Sequence, residues 1–325
     1  MARLDAGIVE QYLHQVLLET DFTKLGRLER GKVRDSYVNG DRRYLVATDR
    51  ISAFDVILGA IPFKGQVLNQ MAAYWFEATK DIAPNHVISI PDPNVTEAMQ
   101  CEPFPVEMVV RGYLTGSSST SIWRAYEQGS REFCGHRLPE GMRRHQRLDK
   151  PLLTPSTKAD IGEHDRSVSK DEILDMGLVT PEQFDRMESY AMALFAFGTQ
   201  RAAERGLILV DTKYEFGQSK DGRIVLIDEV HTPDSSRYWY AETYQEDFEA
   251  GRNPKAPDKE FVRRYLRERL GYSGDGPAPE LPGQLVVEAA LRYARLYEEI
   301  TGEVFEPDLE DPHVRIRANL GLSEG

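Results

Sequence analysis

The clearest alternation of apolar and polar positions runs through Leu207-Ile-Leu-Val-Asp-Thr-Lys-Tyr-Glu-Phe216 and Arg223-Ile-Val-Leu-Ile-Asp228. These two strand-like runs flank Asp221-Gly222, and Asp-Gly in that setting predicts a hairpin with a two-residue turn. Such a turn pairs Lys220 with Arg223 and, counted outward, sets Glu215 opposite Asp228. Side chains alternate along a strand, so Asp211, Lys213, Glu215 and Asp228 share one face. Val210, Tyr214, Phe216, Val225 and Ile227 take the other, the core face. Directly opposed carboxylates, with Cβ atoms about 4.5–5.5 Å apart, repel. The pattern therefore predicts a cation between Glu215 and Asp228, the alternative being a solvated charged face. Oxygen ligands beside a lysine suit Mg2+ holding a nucleotide's phosphates.

The remaining pattern predicts helices over 7–18 and 66–80, the second burying Met71, Trp75 and Phe76. Short strands are expected at 25–28, 32–37 and 44–48, with turns at Gly31 and Asn39-Gly40. Strands at 87–90 and 106–111 flank the Pro-rich stretch 91–105, which reads as a hinge between lobes at 1–105 and 106–325. Residues 114–129 read as a helix with a Gly-Ser-Ser-Ser-Thr start, and 131–170 as a long polar loop. Helices follow at 170–176 and 181–205, the latter opening at Thr180-Pro181-Glu182. Two more, at 258–270 and 284–301, are joined by a Gly/Pro-rich linker over 271–283. No internal repeat is present. Antiparallel hairpins with packed helices make the expected class α+β rather than a repeated βαβ wind.

Composition narrows the function. A chain of 325 residues buries a large core and suits one elaborate domain or two to three lobes. A net charge of −13 argues against a general nucleic-acid binder, which shows a basic footprint. Cys101 and Cys134 form neither a CxxC nor a zinc spacing, so reduced thiols are expected. The N-terminus shows no signal segment, and no apolar run reaches the length of a membrane span. A cytoplasmic protein with no membrane or nucleic-acid partner is the expectation.

Several clusters carry candidate chemistry. Lys32 and Arg34, beside Gly31, place two cations on one strand face, suited to covering phosphates. No Walker A loop or GxGxxG accompanies them, and an exposed charged strand explains them equally well. Thr48-Asp-Arg-Ile-Ser-Ala-Phe-Asp55 reads either as a site at a strand end or as an ordinary turn. Arg111, with the hydroxyls of Ser117, Ser118 and Ser119 at an expected helix start, makes a phosphate site, with plain capping as the alternative. In Ser156-Thr-Lys-Ala-Asp160-Ile-Gly-Glu163-His164-Asp165 no Gly-x-Ser-x-Gly elbow supports a hydrolase triad. Its acidic residues remain candidates for substrate or a second cation. A tight turn at Pro233-Asp234 is expected to throw Asp234 and Arg237 back toward the carboxylates, making Arg237 a further anion-binding candidate.

Six stretches in this order resemble one family. They are Gly31-Lys-Val-Arg-Asp, Asp49-Arg-Ile-Ser-Ala, Val110-Arg-Gly-Tyr-Leu-Thr-Gly-Ser, Ser156-Thr-Lys-Ala-Asp, Asp211-Thr-Lys-Tyr-Glu-Phe-Gly and Asp228-Glu-Val-His-Thr-Pro-Asp-Ser-Ser-Arg-Tyr-Trp. Together they are similar to the SAICAR synthetases (phosphoribosylaminoimidazole-succinocarboxamide synthases) of purine synthesis, in the longer form of that family. The resemblance implies an ATP-grasp-like fold with a nucleotide between two lobes. It implies a ligase: ATP phosphorylates the carboxylate of carboxyaminoimidazole ribonucleotide (CAIR), and the amine of L-aspartate attacks the acyl phosphate, giving SAICAR, ADP and phosphate. By the same resemblance Lys32 and Arg34 belong to the ATP phosphates. Adenine meets the backbone near Gln100 and Glu102. Arg111, Ser117 and Arg237 bind CAIR, chiefly its phosphate, and Asp165 lies near its carboxylate. Lys213, Glu215 and Asp228 are the lysine and Mg2+ ligands at the triphosphate, with Lys213, Asp228 and Arg237 the catalytic set. His231 is given no catalytic role. The alternatives are another ATP-dependent carboxylate–amine ligase, a small-molecule kinase, or a non-catalytic nucleotide-binding module.

Overall fold

Two antiparallel sheets organise the protein, whose computed structural model describes residues 3–53, 56–118, 120–158, 165–257, 260–272, 274 and 276–322. After a short helix α1 (Ala6–Gln11), the chain forms β1 (Arg27–Arg30), β2 (Arg34–Asn39) and β3 (Arg42–Ala47). A small hairpin, β4 (Arg50–Ala53) and β5 (Val56–Ala60), leads to α2 (Lys64–Ala78), and then come β6 (Val87–Asp92) and β7 (Val95–Met99). The first sheet has the order β1-β2-β3-β7-β6. The chain then crosses to β8 (Glu102–Leu114). Beyond it lie α3 (Ile122–Glu127), β9 (Glu132–Phe133), β10 (His136–Arg137), β11 (Gln146–Leu153), β12 (Ser156–Thr157), α4 (Lys170–Asp175) and α5 (Pro181–Glu204). The central strand β13 (Leu207–Gln218) is followed by β14 (Ile224–Ile227), β15 (Ser236–Tyr240), α6 (Ala241–Glu249), α7 (Glu260–Leu270), α8 (Gly283–Thr301) and α9 (Pro312–Asn319). The second sheet runs β11-β8-β13-β14, with β12 also on β8 and β15 also on β13.

The helix expected over 7–18 stops at Gln11, whereas α2 and α5 follow the apolar period closely. α2 buries Met71, Trp75 and Phe76 as expected. α5 starts at a capping box in which the Thr180 hydroxyl accepts from Gln183 N–H and the Gln183 side chain accepts from Thr180 N–H. One apolar core joins α2, α5 and α8 to the second sheet and contains Trp75, Phe184, Tyr214, Phe216 and Tyr238.

Four further expectations fail on backbone detail. The stretch 91–105 is mostly strand: β7 closes the first sheet, β8 opens the second, and Gln100 and Cys101 link them. Pro103 fits within β8 because it lies opposite Gly217, where the β8–β13 register shifts and the ladder is interrupted. The polar region 131–170 holds β9 to β12. The apolar residues of β11 escape alternation because its pairing with β8 breaks between Arg147 and Leu152. The helix expected over 114–129 starts only at Ile122, and the Gly-Ser-Ser stretch before it is a loop.

The fourth concerns the hairpin, whose turn has three residues, not two. Ser219 N–H donates to Arg223 O at 2.9 Å and Gly222 N–H to Ser219 O at 2.8 Å, with Gly222 at φ 84°. The Arg223 guanidinium clasps Asp221 at 2.7 Å across the turn. One extra residue shifts the register by one. Glu215 therefore faces Ile227, and Leu226 rather than Ile227 joins Tyr214 and Phe216 in the core.

Candidate active site

β13 lies between β8 and β15, and its residue Asp211 is in register with Arg111 on one side and Arg237 on the other. Residues in register on neighbouring strands project to the same face, so an arginine–aspartate–arginine row forms across three strands. Arg237 clasps Asp211 through two bonds, its Nε donating to Oδ1 at 2.8 Å and Nη2 to Oδ2. Arg111 Nη1 lies 3.7 Å from Asp211 Oδ2. Arg111 is only 6% exposed; its Nε donates to Thr154 Oγ1 at 2.8 Å and its Nη2 to Thr120 O at 3.1 Å. Burial pushes its pKa down, opposed by the charge of Asp211.

Arg237 also borders a cavity of about 250 Å³, together with Ser117, Arg144, His145, Arg264 and Arg267. Gly116, at φ 106°, lets the preceding loop fold over this cavity, because a Cβ there would collide with that of Ser121. His145 spans the rim: its Nδ1 is 2.8 Å from Thr115 Oγ1 and its Nε2 3.0 Å from Asn253 Oδ1. Burial lowers its pKa to about 4, so the ring is neutral at pH 7. Four guanidinium groups with the Ser117 hydroxyl make an anion site of the kind that takes a phosphate monoester.

Farther along β13 is a second group. Glu215 is in register with Glu107 on β8. Lys213 Nζ lies 2.7 Å from Glu107 Oε1 and 2.7 Å from Glu215 Oε1, and Lys158 Nζ contacts Glu215 Oε2. The expected opposition of Glu215 and Asp228 does not form; Glu107 stands opposite Glu215 instead, and the Lys213 ammonium bonds to both. Burial works to raise the Glu215 carboxyl, but Lys213 and Lys158 overcome it and hold it well below its usual range. In Lys213 burial is likewise outweighed, by Glu215, Glu107 and Asp228, and its pKa is well raised. Burial pushes Glu107 up, with Lys213 opposing.

Asp228 lies just past β14 with φ 71°, a left-handed backbone that turns it off the strand line. Arg34 reaches over from β2 and contacts the Asp228 carboxylate, its backbone oxygen at 3.3 Å and Glu229 Oε1 at 3.5 Å. Arg34 feels the charges of both Asp228 and Glu215, so the two carboxylates belong to one electrostatic group without being opposed. Among the described residues no three His, Cys, Asp or Glu side chains converge into a ready metal cage. The donor chemistry fits Mg2+ nonetheless, because that ion commonly takes one or two carboxylates and completes its shell with phosphates and water.

The family model of SAICAR synthetase matches residues 27–278. The chain belongs to the SAICAR synthetase family. A phosphoribosylaminoimidazole-succinocarboxamide synthase from Legionella pneumophila is 52% identical over 283 residues, covering 87% of this chain and 90% of its own. One from Bacteroides fragilis is 53% identical over 313 residues, covering 94% and 98%. The solved SAICAR synthase from Saccharomyces cerevisiae, complexed with SAICAR, is 29% identical with a TM-score of 0.77 and covers 90% of this chain and 100% of its own. The α+β architecture described above is thus the ATP-grasp-like fold of the SAICAR synthetases, which join aspartate to CAIR at the expense of ATP.

Against the family's motifs the structure distributes the expected residues as follows. Arg34, Lys213, Glu215 and Asp228 fall in one group, and Arg111, Ser117 and Arg237 at or behind the arginine-rich cavity. Ser117 is exposed in the loop, not at a helix start, and lies 3.4 Å from Arg267 Nη1. Lys32 precedes β2 rather than lying on it, and its carbonyl accepts from Arg50 Nε at 3.0 Å. Arg50 also binds Gly31 O at 3.0 Å and Asp35 at 2.8 Å, so this arginine braces the turn that bears Lys32. Gln100 is held by Arg43 Nε at 2.8 Å, and Glu102 is exposed at the start of β8. Asp165 is exposed. Phe54, Asp55, Ser119, Asp160, Glu163 and His164 lie outside the described residues. No helix among the described residues is long and apolar enough to cross a membrane.

Sequence reasoning missed Glu107, Lys158, Arg144, Arg264 and Arg267. Lys158 was inside a quoted motif. Glu107 had a signal too, alternating with Arg111 along one strand face. Arg264 and Arg267 share a helical i, i+3 spacing on α7, but Arg144 comes from a loop more than a hundred residues away and nothing local links it to them.

Proposed function

We propose that the arginine-rich cavity takes the phosphate of CAIR and that the group of Arg34, Lys213, Glu215 and Asp228 takes the triphosphate of ATP. The observation that carries this reading is their placement on one strand. Asp211 marks the first group and Lys213 and Glu215 the second, and the four residue steps from 211 to 215 span about 13 Å along an extended chain. A ribonucleotide anchored by its phosphate in the cavity can therefore present its far end, the imidazole carboxylate, to the transferring phosphate.

Each residue has a role that follows from its chemistry. Arg237 and Arg111 orient the acceptor by planar, forked hydrogen bonding, and Ser117 adds a hydroxyl donor. Lys213 and Lys158 place positive charge where the transferring phosphoryl group gathers negative charge. Arg34, with Lys32 nearby, covers the triphosphate from the first sheet. Gln100 and Glu102, at the crossing between sheets, meet the adenine, and Asp165 approaches the imidazole carboxylate. Glu215 and Asp228 would hold Mg2+, which neutralises phosphate charge during phosphoryl transfer.

The CAIR carboxylate is resonance-stabilised and will not lose oxide to an amine. Transfer of the γ-phosphoryl group converts one carboxylate oxygen into part of a good leaving group. The aspartate amine then attacks the carbon, phosphate departs, and the amine loses a proton to give the neutral amide. The reaction, in a cytoplasmic setting, needs no enzyme nucleophile, only positioning and charge neutralisation.

ADP release, measured with CAIR present and aspartate added or withheld, tests this reading. Sustained ADP release requiring both substrates supports the ligase. Sustained release with CAIR alone points to a kinase, and ATP binding without turnover to a binding module.

A further inference from the structure

Lys64 opens α2 with its side chain wholly buried. Its Nζ donates to Asp234 Oδ2 at 2.9 Å and lies 5.5 Å from the centre of the Tyr293 ring. Tyr293, on α8, donates its hydroxyl to Asp234 Oδ1 at 3.0 Å. Three remote stretches of chain thus meet at one buried ion pair.

The lysine end of this pair is fixed. Asp49 accepts the Gly65 N–H at 2.9 Å and the Leu17 N–H at 2.8 Å. Gly65 is pressed so close to the Ala47 carbonyl that a Cβ would collide with it. The first turn of α2 is therefore clamped to β3 of the first sheet.

The aspartate end belongs to the loop between β14 and β15. This loop contains Asp228 and His231 at φ 71° and 51°. Aspartate and histidine tolerate such angles better than most side chains, but at some cost, so the contacts that hold the loop matter. Two cations from the first-sheet side grip the loop, Arg34 at Asp228 and Glu229, and Lys64 at Asp234. Arg34 has a second duty in the proposed function, since it and Asp228 both serve the nucleotide's phosphates. A guanidinium turned toward phosphate no longer fixes Asp228. Lys64 is wholly buried, and the proposed function gives it no phosphate to bind.

We propose that Lys64 is a positioning residue for ATP: its buried pair with Asp234 holds the Asp228 loop in place while Arg34 engages the phosphates. The inference rests on the assignment of the triphosphate to Arg34, Lys213, Glu215 and Asp228. Stripping one partner from a buried ion pair is strongly destabilising, whereas a neutral pair of similar volume is tolerated. The informative variant is therefore Lys64→Met combined with Asp234→Asn, whose amide oxygen still accepts from Tyr293.

This double variant should fold with a Tm near that of the wild type. Its affinity for ADP, measured by calorimetry without metal, should fall about tenfold, a loss readily resolved. KM for ATP should rise by a similar factor while KM for CAIR and for aspartate stay put. Unchanged nucleotide affinity, all three KM values moving together, or failure to fold would each assign the pair to the core and overturn the proposal. Glu215→Gln, measured in parallel, separates the two levels. If Glu215→Gln leaves nucleotide binding and turnover intact, the assignment of the triphosphate is itself wrong. If it impairs them and the double variant does not, only the role of Lys64 is refuted.

Discussion

Asp211 and Arg237 are joined twice, as in-register neighbours on β13 and β15 and by a two-pronged ion pair between their side chains. Arg111 leans on the same carboxylate from the opposite strand. One buried negative charge thus holds two guanidinium groups side by side. Asp211→Asn removes that charge and leaves two cations facing a neutral amide. We expect a loss of about 3 kcal/mol in stability, the scale for breaking a buried ion pair from one side. Urea denaturation measures it, and a change under about 1 kcal/mol would mean that solvent screens the row as it does surface pairs.

Arg111→Lys replaces a planar fork with a point charge while preserving the sign. Its contacts to Thr154 and Thr120 need two nitrogens in fixed directions, which an ammonium on a shorter reach does not supply. KM for CAIR should rise about tenfold or more, as for loss of a charged hydrogen bond, with KM for ATP nearly unchanged. Equal changes in both constants would remove Arg111 from the ribonucleotide site.

Glu215→Gln deprives Lys213 and Lys158 of the carboxylate they share. Turnover should fall at least about a hundredfold, as when one charge-stabilising group is lost from a transition state. The fold should also weaken, because Lys158 then loses its carboxylate contact while Lys213 keeps its bond to Glu107. The relevant measurements are kcat and the urea midpoint on the same preparation. Full activity in Glu215→Gln would exclude Glu215 from the phosphate chemistry.

His145 gives a pH signature. Burial holds its folded pKa at about 4, against about 6.5 in an unfolded chain. Between those values the unfolded state binds the extra proton, so stability falls as pH drops from about 6.5 toward 4. His145→Gln lacks this titration. The stability of the wild type relative to the variant should decline by about 1.4 kcal/mol per pH unit across that window. A difference that stays constant from pH 6.5 to 4.5 would contradict the burial of a neutral ring.

An acyl phosphate leaves an isotopic trace. With ¹⁸O in the CAIR carboxylate, one labelled oxygen should appear in the phosphate released, because the transferred group departs with it. Label retained wholly in SAICAR would exclude this order of steps.

Much of this was legible in the chain. Alternation found β13 and β14, the helical period found α2 and α5, and the ordered motifs placed Arg34, Lys213, Glu215 and Asp228 in one family context. The pairing of Glu215 was not legible, because Asp221-Gly222 fits a two-residue and a three-residue turn equally well. Ser219 and Arg223 decide between them through contacts visible only after folding. Glu107 reached Glu215 through a cross-strand partner more than a hundred residues distant, and no local pattern encodes such a register. The cavity arginines failed for the same reason, since Arg144 precedes β11 while Arg264 and Arg267 are on α7.

The pairing of β8 with β13 has a consequence for synthesis of the protein. Residue 114 leaves the ribosome well before residue 218, and β15 follows later still. At elongation rates of about 5–20 residues per second, β8 waits on the order of ten seconds for its central neighbour. During that interval the backbone N–H and C=O groups along one edge of β8, from Glu102 to Arg111, lack the strand that pairs with them. Shielding of the nascent chain by a chaperone should therefore matter most between the emergence of β8 and that of β13, and slower translation of the intervening helix α5 should lower the yield of native enzyme.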